Sequence, residues 1–165
     1  MISEELYEKT GNLRDEINKL KTRNVLSRSE KKDYFEPHMM EYLNQYDGEY
    51  NDQINSFLLK FKVMGTQYEG RIDEIELIKK NDNVQIKRNP ENRYNKNNFA
   101  IIDKNDRCIG NMPWKLCDAM APLFDSNNLT IESSKISYIE PLSKRSRHAL
   151  KPIVFIEIKG IIREN

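Results

Sequence analysis

At Phe57 the hydrophobic period of this chain changes. Before it, Leu6, Leu13, Ile17 and Leu20 fall on one face of a helix. From it onward, Phe57, Leu59, Phe61 and Val63 alternate with polar or less apolar positions, the two-residue period of a half-buried strand. No repeat and no low-complexity linker separates the two regimes. The chain therefore reads as an α+β protein, with an α-helical N-terminal extension over 1–55 and a β-rich domain over 57–160.

Its 165 residues suit one domain plus an extension. Charged residues make up 32% and hydrophobic ones 38%, so the core should be modest, yet the apolar residues are gathered into periodic runs that disordered chains lack. In the extension, Ser3 is a good N-cap, Ile2 and Tyr7 are spaced as a hydrophobic staple, and Glu4 and Glu5 suit the positive end of a helix dipole. The seven-residue steps of the leucines hint at a short coiled coil; packing on the chain's own domain is the equal alternative. Ser27 and Glu30 form a second capping box, and Pro37 breaks that segment. Met39, Leu43 and Tyr46 would share the face of a further helix that Asp47-Gly48 ends.

Strands are expected at 73–78, 84–88, 98–103, 107–112, 130–139 and 153–159, with Asn81-Asp82-Asn83 and Lys104-Asn105-Asp106 as turns. One helix interrupts them: Pro113 suits a helix start, and Trp114, Cys117, Ala121 and Phe124, with Met120 alongside, recur at helical spacing.

Composition narrows the function classes. Net charge is +1, with a small basic excess after residue 60, which is compatible with a polyanion partner without demanding one. Cys108, Cys117, His38 and His148 match no metal-binding spacing, so no metal and no cofactor is expected. The cysteines fit a reducing compartment, and a cytoplasmic protein without membrane contact is expected, since no stretch nears the ~18–20 apolar residues of a spanning helix. Without a Gly-rich phosphate loop or nucleophile motif the chain is not expected to be an enzyme; Glu69, Asp73 and Glu74 are spaced like solvated turn residues.

Three runs, in order, carry a resemblance. They are Val63-Met64-Gly65-Thr66-Gln67-Tyr68-Glu69-Gly70-Arg71, then Lys87-Arg88-Asn89-Pro90-Glu91-Asn92-Arg93-Tyr94-Asn95-Lys96-Asn97, then Cys108-Ile109-Gly110-Asn111-Met112-Pro113 with the helix after it. Together they resemble the HIRAN domain family over roughly 100 residues, and the second run is similar to its Arg-acid-Pro-x-Asn-Pro-Tyr-Asp-x-Asn signature. The resemblance implies a small OB-like β-barrel of about six strands with one internal helix. Such domains stand alone in bacterial and phage proteins or are fused to chromatin remodellers. In a remodeller the domain captures a single-stranded DNA end with a free 3′-hydroxyl, which links it to repair of stalled forks, and it has no catalytic activity.

The same resemblance places Tyr68 and Tyr94 around a terminal base; stacking on aromatic rings accepts any base. Arg88, Lys96 and, more weakly, Arg71 are candidates for phosphate, with a salt bridge at the barrel edge as the equal alternative for Arg88. Asn92 and Asn97 could brace the loop or donate to phosphate. Asn95 stands where the family has an aspartate and would accept a terminal hydroxyl only as a neutral group. Trp114 could stack or pack in the core. Lys144-Arg145-Ser146-Arg147-His148 with Lys151 is the strongest basic cluster and could steer a polyanion or be a solvated loop. The leading expectation is a module binding nucleic acid, single-stranded DNA first. The alternative is a protein-interaction adaptor in which residues 1–55 bind a protein partner or a second copy of the chain.

Overall fold

The structure, a computed structural model, describes residues 3–21, 44–68 and 70–164. The Ile2 staple, the Ser27–Glu30 box, Pro37, Met39 and Leu43 lie outside the described residues, as does Glu69.

The alternation that starts at Phe57 becomes strand β2 (Ser56–Lys62), with Phe57, Leu59 and Phe61 all buried. β2 pairs antiparallel with β7 (Ile153–Ile162), and β7 with β6 (Leu129–Glu140). A second sheet holds β3 (Gln85–Arg88), β4 (Phe99–Ile102) and β5 (Cys108–Asn111) in that order. The expected turn residues do their work: Asn81 and Asp106 adopt positive φ, where Asn and Asp are tolerated.

Two single bridges join the sheets. Met64, just beyond β2, exchanges both backbone hydrogen bonds with Asn111 at the end of β5, each 2.9 Å. Asn83, just before β3, bridges Lys135 of β6. Hydrogen bonding thus runs β2-β7-β6-β3-β4-β5 and back to β2, a six-stranded antiparallel ring with two narrow seams. Gly110 makes the first seam possible. A Cβ there would stand 2.3 Å from Val63 Cγ1 and 2.5 Å from the Met64 carbonyl oxygen, so only glycine lets β5 come this close.

The internal helix, α3 (Trp114–Asp125), buries Leu116, Cys117, Ala119, Met120, Ala121 and Leu123. The Cys117 thiol, fully enclosed, has its pKa pushed up to about 11 by burial.

Two expectations are corrected, and one left open is decided. Residues 73–78 do not form a strand; α2 (Arg71–Ile75) occupies this stretch, entered through Gly70 at φ 75°. A strand would bury Ile75 and Leu77 on one face, whereas Ile75 is buried and Leu77 is exposed. Residues 47–51 are not the end of a helix but strand β1 (Asp47–Asn51), paired with β2 at the sheet margin. Of the two readings open for α1 (Glu4–Lys21), packing on the chain's own domain is the one its leucines follow. Leu6, Leu13, Ile17 and Leu20 are buried in the same core as the sheets, where α1 packs on α3 and β1. Gly48 allows that approach, since a Cβ would lie 2.5 Å from the Ile17 carbonyl oxygen. The Ser3 cap forms, its hydroxyl accepting the Leu6 N–H at 3.2 Å. Tyr46 joins the core edge-on to Phe155, ring centres 4.9 Å apart.

Candidate nucleic-acid interface

Asn111 is the junction at which the candidate residues meet. On one side its backbone holds Met64, and the turn that follows returns through Gly65 at φ 73°. The Gly65 carbonyl accepts the Tyr68 N–H at 3.4 Å and the Arg71 guanidinium at 2.9 Å. Arg71 thereby sets the turn that presents Tyr68, rather than pointing a full fork at a ligand. On the other side the Asn111 side-chain oxygen accepts the Asn98 amide at 3.0 Å. Asn98 closes the β3–β4 loop, its own N–H bonded to the Asn95 carbonyl at 3.1 Å and its carbonyl to the Asn89 N–H at 2.8 Å. Asn111 lies three residues before Trp114, the first residue of α3. The turn with Tyr68, the loop with Tyr94 and the start of α3 are therefore tied to one end of the strand ring.

The loop is held by its own asparagines. Asn92 Oδ1 accepts the N–H groups of Tyr94 and Asn95 at 2.9 and 3.0 Å, a side chain imitating a backbone turn. Asn95 Oδ1 accepts the Asn97 N–H at 2.9 Å. The amides of Asn95 and Asn97 both donate to Asp118 Oδ1 of α3, at 3.2 and 3.1 Å. Arg88 fixes the loop's base: Nε and Nη2 meet both oxygens of Asp125, and Nη1 donates to the Lys96 and Asn98 carbonyls at 2.6 and 3.2 Å. Its guanidinium carbon also lies 5.6 Å from the centre of the buried Phe99 ring. Of the two jobs open to Arg88, the structure shows it doing the bracing one.

With the loop so constrained, Tyr94 projects outward, 88% exposed, with the Arg93 guanidinium 5.9 Å from its ring centre. Tyr68 is 58% and Trp114 63% exposed, which removes Trp114 from the core role its spacing allowed. Lys115 Nζ stands 5.6 Å from the Trp114 ring centre. Lys87, Arg93, Lys96 and Lys115 are all exposed. This is a surface of solvated flat rings among exposed cations, suited to planar, anionic guests.

Asp118 and Asp125 lie outside the residues named in the three runs that carry the resemblance. The two aspartates stand seven residues apart on α3, on one helical face, which is a readable signal once the helix is placed.

Behind α2 sits a paired acid. Asp103 is buried, and its Oδ1 accepts the N–H groups of Asn105 and Arg107 at 2.8 and 3.0 Å. Its Oδ2 finds no N–H donor and faces Glu74. Burial first, and Glu74 second, raise the Asp103 pKa, while Asp103 and then the Asn105 amide hold Glu74 low.

A family model described as HIRAN domain matches residues 56–156. Among solved structures the chain is similar to the crystal structure of the HIRAN domain of human HLTF, at 20% identity over 65% of this chain and 77% of that one, with a TM-score of 0.48. It is similar also to the same domain's NMR structure in its DNA-bound conformation, at 20% identity over 65% and 76%, TM-score 0.45. A protein from Lactobacillus plantarum matches at 12% identity over 61% and 91%, TM-score 0.47. None of the curated proteins matches the chain.

Proposed function

This chain belongs to the HIRAN domain family, and on that premise we propose that it binds single-stranded nucleic acid, DNA first, at the Asn111 end of its strand ring. Tyr68 and Tyr94 take the faces of a terminal base, Trp114 offers a third ring, and Arg93, Lys96 and Lys115 attend the phosphates. The observation that carries this reading is the exposure of three large rings on braced segments: 58%, 88% and 63% for Tyr68, Tyr94 and Trp114. Burying such rings in the core would cost nothing in hydrogen bonding beyond the phenol and indole groups, so their outward placement supports a task at the surface.

A fluorescently labelled oligonucleotide tests it. A base stacked on aromatic rings is worth about 1–3 kcal/mol, so the Tyr68→Ala, Tyr94→Ala double variant loses at least about fivefold in affinity. Equal binding by wild type and double variant refutes the stacking mechanism. For a 3′ end, Asn95 Oδ1 already accepts one N–H and keeps one lone pair for a terminal hydroxyl. Comparison of strands with free and blocked 3′ ends reads that contact directly. The function is binding without catalysis; hydrolysis of DNA by the pure protein, abolished by a chelator, would overturn that part.

A further inference from the structure

The strongest basic cluster of the chain lies outside the site just described, and the fold brings it alongside. The loop from 141 to 152, between β6 and β7, is attached to the Tyr68 segment at two points. The buried Thr66 hydroxyl, two residues before Tyr68, donates to the Pro152 carbonyl at 3.0 Å. Glu76, at the end of α2, accepts the Ser143 N–H at 3.0 Å and the Ser143 hydroxyl at 2.6 Å. Those two bonds hold the Glu76 carboxyl below its ordinary pKa.

The loop is a built structure. Arg145 turns inward, its side chain wholly buried, and Nη1 donates to the Lys151 carbonyl at 2.6 Å, closing the loop on itself. Its Nε lies 3.6 Å from Glu140. Ser146 starts a further turn, its carbonyl accepting the Ala149 N–H at 2.9 Å and its hydroxyl the His148 N–H at 3.2 Å. With Arg145 as the internal pin, Lys144, Arg147 and His148 are left on the outside. Glu140 is paired with Arg145, whereas Glu76 keeps its negative charge near Lys144; Lys144 and Arg147 together outnumber that one carboxylate, so the outward charge is positive.

We propose that this loop is a second contact for the same strand: Lys144 and Arg147 bind phosphates of nucleotides that continue past the Tyr68 ring. The inference rests on the binding reading above. It assigns the tyrosines to the terminal nucleotide and the 141–152 loop to the strand behind it. Phosphate contacts of this kind carry no sequence preference and act through release of counterions.

The test is a length series of single strands from three to fifteen nucleotides, titrated at several salt concentrations with wild type and with the Lys144→Ala, Arg147→Ala double variant. Both replaced side chains are exposed, and unchanged near-ultraviolet circular dichroism verifies the fold. In wild type, affinity rises with length until the strand reaches the loop. In the variant the shortest strands bind as in wild type, the rise with length is lost, and the log–log salt slope for the longest strand shrinks by about 1.4, two contacts at about 0.7 each. Equal length dependence and equal slope in both proteins overturn the inference and leave the tyrosine site standing. Weakening by the same factor at every length also overturns it, because the loop then acts only through a general field. If wild type binds no strand of any length, the binding reading itself fails and this one falls with it.

Discussion

Arg88 meets Asp125 fork to fork, Nε and Nη2 each 3.0 Å from a carboxylate oxygen, across 37 residues of sequence. The pair clamps the start of the Tyr94 loop to the end of α3, while the third guanidinium nitrogen takes two loop carbonyls. Lysine keeps the charge but cannot make the fork or serve four acceptors at once. Arg88→Lys should therefore lose about 1–3 kcal/mol in urea unfolding, the range for charge-assisted hydrogen bonds. An unchanged midpoint would show that the clamp contributes nothing.

Asp118 gives a prediction whose sign is informative. As a mere negative charge near a polyanion site, its removal would strengthen binding. As the common acceptor for Asn95 and Asn97 it positions the loop. Asp118→Ala should weaken oligonucleotide binding several-fold despite the lost negative charge, about 1 kcal/mol by the ordinary value of a hydrogen bond, and Asp118→Asn, which retains a side-chain acceptor, should recover part of it. Tighter binding by the alanine variant would refute the positioning role.

Gly110 closes the ring beside Met64. An added methyl would collide with Val63 and with the Met64 carbonyl, which belongs to backbone and cannot step aside. Gly110→Ala should cost about 1–3 kcal/mol, the usual penalty of overpacking, and should loosen protection of the Met64 and Asn111 amides in hydrogen exchange. Protection unchanged at both amides would mean the seam adapts.

Asp103 sets a pH dependence. Its pKa is raised in the folded protein, so the fold binds this proton more tightly than the unfolded chain does. The contribution is complete below the ordinary aspartate range and is lost as pH rises through the raised value. Glu74, held low, runs the other way: its contribution is present above the ordinary glutamate range and is lost as pH falls through its folded value. Asp103→Asn keeps an oxygen for Asn105 and Arg107 and offers Glu74 an N–H donor. The variant should melt higher than wild type at neutral pH, and the gain should vanish in acid, where Asp103 is itself neutral. A gain that persists unchanged at low pH would show that the ionised Asp103 beside Glu74 is not its cause.

Much of the architecture is legible in residue order because it depends on neighbours a few positions apart. Alternation writes β2 directly, since a strand with one buried face must repeat every two residues. Asn81 and Asp106 mark turns because few other side chains tolerate positive φ. The three family runs locate Tyr68 and Tyr94, and the segments they occupy do meet at Asn111. Tertiary structure alone decided the rest. Ile75 and Leu77 alternate as a strand would, yet packing buries one and leaves the other in water. Asp47-Gly48 has the composition of a helix stop, but Gly48 is small because β1 lies against the backbone of Ile17. The leucines of α1 state that a face must be buried without saying against what. Arg88 carries no mark of whether it holds a phosphate or a carboxylate. Each of these outcomes is set by which surface arrives opposite, from tens of residues away, and a local pattern holds no information about that arrival.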